Sequence, residues 1–91
     1  MSSAPDTLKE EIKRAIVESL RLPISVGEIG NGMSLFGEGL GLDSIDVLEL
    51  VLEMERRFGV SIVDDETGER VLRSVDTIAD FIVSERARKA V

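Results

Sequence analysis

From Ile45 to Phe58 no glycine or proline interrupts a run whose apolar residues recur with helical spacing. That run limits the fold more than any other feature of the chain. At about 100° per residue, Val47, Leu50, Val51, Met54 and Phe58 fall on one stripe, the pattern of a helix face turned toward a core. Ile45, Leu48 and Leu52 form a second apolar row beside it. Asp46, Glu49 and Glu53 are expected on the opposite side, with Arg56 and Arg57 at the far end. A small domain covers one face of such a helix and hardly two. The second row is therefore expected to be partly exposed and rimmed by carboxylates, which reads as a docking surface. The alternative is a further helix lying over it.

The run is fed by Gly39-Leu40-Gly41-Leu42-Asp43-Ser44, a loop. Either Asp43 or Ser44 can serve as N-cap, since each side chain can accept a hydrogen bond from a first-turn N–H group. Ser44 thus stands at the mouth of the helix, its hydroxyl expected to face solvent. An anionic group attached there would meet the positive end of the helix dipole and several free N–H donors. Capping alone is the plainer role for such an Asp-Ser pair.

At 91 residues the chain is one domain's worth, with enough apolar content for a modest core. There is no cysteine, so disulfides and thiolate metal sites are excluded. No apolar run approaches membrane-spanning length, and the N-terminus lacks the basic-then-apolar pattern of a signal peptide. A soluble cytoplasmic monomer is expected. The net charge is −7, and its placement is informative: ten acidic residues lie between Glu38 and Glu69, opposed there only by Arg56 and Arg57. An acidic field around the Ser44 helix argues against nucleic acid, whose phosphates require a positive surface, and favours partners with basic patches.

Ahead of this helix, Leu8, Ile12, Ala15, Ile16 and Leu20 predict another from about Thr7 to Leu20, with Thr7 and Glu10 as a capping box and Pro23 just beyond its end. Pro23 to Leu42 is a long connection with six of the eight glycines and scattered apolar residues, Leu35 and Phe36 being the expected anchors. Gly59 suits the C-terminus of the central helix. Val60 to Val63 reads as extended linker, because no second strand exists to pair with it. Asp64-Asp65-Glu66 opens a short third helix, frayed at Gly68, and Ser74 caps a last helix whose inner face is Val75, Ile78, Ala79 and Ile82. The expected fold is all-α, a four-helix bundle with a long first loop and a short third helix. Residues 1–6 are a disordered start, 7–84 the domain and 85–91 a basic tail.

No histidine is present, so a Ser-His-Asp triad is impossible. The acidic run at Asp64-Asp65-Glu66 lacks the alternating ligands of a calcium loop and reads as a solvated face. No metal site is expected.

Gly41-Leu42-Asp43-Ser44-Ile45, then Glu49-Leu50, then Arg57-Phe58-Gly59-Val60 resembles the acyl carrier protein family, whose mark is Asp-Ser-Leu at the start of its second helix. The segment from Asp64 to Ile82 is similar to the family's third and fourth helices, so the resemblance runs from about Leu8 to Ile82. It implies that Ser44 carries a 4′-phosphopantetheine arm, added from coenzyme A by a phosphopantetheinyl transferase that recognises Asp43. It also implies a carrier without catalysis, holding acyl groups as thioesters for acyl-transferring and condensing enzymes with basic docking patches. Ile45, Asp46, Leu48, Glu49, Leu52 and Glu53 are the expected partner face. Ile45 replaces the usual Leu, and the loop is richer in glycine than in many members. Peptide-synthesis carriers tend to lack the Asp before Ser, so the resemblance implies a free-standing carrier of fatty-acid or polyketide type. An aminoacyl or peptidyl carrier is the alternative within the mechanism. An unmodified helical adaptor for a basic partner is the alternative outside it.

Overall fold

In the computed structural model, which describes residues 5–37 and 39–89, four helices follow in order: α1 Asp6–Leu20, α2 Ser44–Phe58, α3 Asp65–Val71 and α4 Val75–Lys89. A single 3₁₀ turn, Val26–Glu28, punctuates the long first connection. Among the described residues no strand forms, only one isolated bridge between Phe36 and Leu42. The chain is thus the expected helical bundle.

Helix α1 begins at Asp6, not at a Thr7 cap. Pro5, held extended at φ −72°, takes the cap position, and its carbonyl accepts from the N–H groups of Leu8 and Lys9 at 3.1 and 3.3 Å. Proline's fixed φ and missing N–H suit the helix edge, so Thr7 is drawn into the first turn. At the other end Arg21 adopts the left-handed conformation, φ 51°, and stops the helix before Pro23.

Leu8, Ile12, Ala15 and Ile16 of α1 meet Leu50, Met54 and Phe58 of α2 and Val75, Ile78, Ala79 and Ile82 of α4 in one core. α1 packs on both α2 and α4, and α3 bridges α2 and α4. Burial of this apolar set is the main favourable term of folding.

The long connection is pinned rather than loose. Ile29 and Leu35 are buried, and Phe36 packs beside them half-buried. Leu35 donates its N–H to the Arg73 carbonyl at 3.0 Å, and Asn31 accepts from the N–H of Asp76 at 2.9 Å. Lys9 reaches the carboxylate of the same residue at 2.9 Å from α1. That hydrogen bond raises the Lys9 pKa against the opposing effect of burial. Loop, first helix and last helix are therefore tied at one residue, Asp76, through its N–H and its carboxylate.

Between α2 and α3 the chain forms neither helix nor strand, with Val60 and Ile62 buried and the Ile62 N–H donating to the Glu55 carboxylate at 2.9 Å. Asp64 caps α3 through the Thr67 N–H at 2.7 Å, and this bond holds its carboxyl below the usual range. Gly68 does not fray the helix. It lies buried in mid-α3 beside the methyls of Val51 and Ile62, and that packing outweighs the poor helix propensity of glycine.

Ser74 and Thr77 exchange reciprocal hydrogen bonds at the start of α4. Helix α4 runs on through Lys89 into the expected basic tail: Arg86 lies over the Phe58 ring, 5.8 Å from its centroid, and Arg88 pairs with Glu85. Residues 1–4 and 90–91 of the expected ends lie outside the described residues, and Asp6 is already helical.

Candidate functional site

The loop before α2 is shaped by backbone requirements. Gly41 turns the chain with φ 71°, a conformation costly for any other residue. At Gly39 a Cβ would run into the Ser34 carbonyl, which also accepts the Leu40 N–H at 3.1 Å. Leu42, buried, then donates its N–H to the Leu35 carbonyl at 3.1 Å. The residue before Asp43 is thereby anchored in the core, and the start of α2 has a fixed position.

Asp43, not Ser44, is the N-cap. One of its carboxylate oxygens accepts from the N–H groups of Ile45 and Asp46 at 3.0 and 3.1 Å, while the Asp46 carboxylate accepts from the Asp43 N–H at 3.1 Å. Ser44 is left as the first helical residue, its side chain exposed. The expectation of several free donors at this tip needs correcting. Two are already engaged by Asp43, and two carboxylates crowd the same turn. A phosphodiester on Ser44 would gain less from the helix end than a bare N-terminus offers, and it would point to solvent.

Ser44 stands at the lip of a groove of about 850 Å³ between α2 and α3, lined by Phe36, Val47, Leu48, Val51, Ile62 and Val63 among others. Along the outer side of α2 run Ile45, Leu48 and Leu52, exposed by 71%, 62% and 59%. No helix covers this row among the described residues. Glu49 is exposed beside it, and Asp46 is half-exposed with one oxygen committed to the cap. Val63, 83% exposed at the groove's edge, was absent from the expected partner face. An apolar residue directly ahead of an acidic run was the available signal.

Glu53 does not belong with them. It is buried, only 6% exposed, and its two oxygens take the guanidinium groups of Arg56 and Arg57. Arg57 also reaches Glu18 of α1 at 2.7 Å. Helical phase put Glu53 near the rim, but the seam with α1 closes over that flank. Burial would push its carboxyl up, yet the hydrogen bonds and charges of the two arginines prevail and hold it below the ordinary glutamate range.

Residues 10–82 match the phosphopantetheine attachment site family. An acyl carrier protein of Nitratidesulfovibrio vulgaris strain DP4 is 35% identical over 80 residues, covering 88% of this chain and 99% of that protein. The acyl carrier protein of the Miyazaki F strain is 37% identical over 73 residues, 80% of this chain and 91% of that one. The chain belongs to the acyl carrier protein family. Membership gives it an acyl-carrying role, 4′-phosphopantetheine as its prosthetic group, and no catalysis of its own. No helix among the described residues is long and apolar enough to cross a membrane.

Proposed function

We propose that Ser44 is the attachment point of the 4′-phosphopantetheine arm and that the Ile45–Leu48–Leu52 ridge, with Asp46 and Glu49, receives the partner enzymes. The observation that carries this is the relief of Ser44 from capping: Asp43 closes the helix, so the neighbouring hydroxyl is exposed at a rigid helix start beside open apolar surface. Asp43 then serves both as cap and as the acidic mark beside the hydroxyl that a phosphopantetheinyl transferase meets. When bound, the arm supplies a terminal thiol that holds acyl groups as thioesters. The chain's own residues position it. Leu42, Gly41 and Gly39 fix the helix start, and the acidic turn keeps the linkage in water.

The exposed aliphatic ridge offers partners an anchor that loses little ordering entropy, since its helix is already rigid. Acidic groups beside it steer basic entrances of acyl-transferring and condensing enzymes. With Asp43 directly before Ser44, this favours a carrier of fatty-acid or polyketide type over an aminoacyl carrier.

The test is incubation with coenzyme A and a broad phosphopantetheinyl transferase, read by intact mass. One phosphopantetheinyl adduct is expected on the wild type and none on Ser44→Ala. An unmodified wild type, or an adduct surviving Ser44→Ala, sinks the assignment.

A further inference from the structure

The exposed ridge of α2 does not keep one sign of charge along its length. Near Ser44 it is flanked by Asp43, Asp46 and Glu49. Eleven positions after Ile45 in the same row, helical phase brings Arg56 onto the crest that carries Ile45 and Leu52. Its side chain is 78% exposed, whereas that of Glu53, its partner, is 8% exposed. The carboxylate is sunk and the guanidinium is not. Any surface laid along the ridge therefore meets a positive group there, even though the pair is locally neutral. Arginines in a last helical turn also complement the helix dipole. That role needs only proximity, and it accounts for neither the buried carboxylate nor the placement of Arg56 on the apolar crest.

Resting on the reading of Ser44 and its ridge given above, we infer that the partner of this carrier is an enzyme surface of mixed sign. It presents basic groups beside its active-site entrance, an apolar hollow for Leu48 and Leu52, and a carboxylate opposite Arg56. Arg56 is twelve residue steps along the helix from Ser44, so that carboxylate lies roughly 18 Å from the entrance. The orientation follows from the two signs. A partner turned end for end sets like charges together at both sites, and such juxtaposition is strongly disfavoured. Glu53 acts as a positioning residue, holding the guanidinium in place before docking.

The experiment loads wild-type chain through its Ser44 arm with a thiol-directed crosslinking pantetheine. The probe is a recombinant condensing enzyme with an all-basic entrance patch, used alongside a variant with one distal lysine, roughly 18 Å from the entrance, changed to glutamate. Wild type is expected to crosslink several-fold faster with the glutamate variant than with its parent, Arg56→Gln to lose that preference, and Arg56→Glu to invert it. Arg56→Gln leaves Glu53 paired with Arg57, so its fold is expected to persist, and circular dichroism on each variant verifies this. Equal rates with both enzymes, or a preference unchanged in Arg56→Gln, overturn the mixed-sign partner. Absence of arm loading overturns the Ser44 assignment instead, and mass analysis before crosslinking separates the two failures.

Discussion

Glu49 and Glu53 are one helical turn apart on α2, yet one faces water and the other is buried with two arginines. The same division runs through the apolar residues of the helix. Leu50, Met54 and Phe58 are buried, while Ile45, Leu48 and Leu52, of similar size, stay mostly exposed. Side-chain chemistry is nearly matched across the two faces. What differs is cover: α1 closes over one flank and nothing among the described residues closes over the other. The same kinds of residue therefore hold the fold together on one side and remain available to a partner on the other.

Truncation of the two faces tests this division most severely. Met54→Ala opens a cavity in the core and is expected to cost roughly 2–5 kcal/mol in urea unfolding. A negligible change would show that the buried face has been misassigned. Glu53→Gln comes next, with an expected loss of about 1 kcal/mol near neutral pH, because the arginines lose their charged acceptor. Its pH dependence has a definite sign. The folded carboxyl titrates below the unfolded one, so its stabilisation is complete above the ordinary glutamate range and disappears as pH falls through the lower folded value. Wild type and Glu53→Gln should converge in acid. Equal stability of the two at neutral pH would place Glu53 with the exposed rim after all.

On the uncovered face the expected effects on folding shrink while those on partners grow. Leu52→Ala should shift unfolding by no more than about 0.5 kcal/mol, and a larger shift would mean the ridge is structurally covered. Glu49→Lys should leave stability unchanged and slow association with a basic partner, with the deficit fading as salt is raised. Stopped-flow measurement at two ionic strengths checks this, and a deficit indifferent to salt argues against steering.

Much of this was legible in the chain. The phase of α2, the Gly59 terminus and the cap at Ser74 all follow from local chemistry. They depend on residues close in sequence, whose geometry is set by the helix period and the orphan groups at helix ends. Thr7 was misjudged because a proline two positions earlier set the helix start. Gly68 was misjudged because its neighbours Val51 and Ile62 come from other segments. The buried Lys9 was equally out of reach, since Asp76 lies far along the chain.

The order of residues by itself determined that α2 would be a helix with two apolar rows and an acidic start, and that a serine would sit at its tip. Helix period and capping chemistry act within a few residues, so they can be read from the chain alone. Only the tertiary structure decided that Asp43 rather than Ser44 closes the helix, that Glu53 is withdrawn from the rim, and that Arg56 stands out on it. Each depends on what lies nearby in space, or on which of two adjacent side chains wins the same hydrogen bonds. A one-dimensional pattern carries no measure of either.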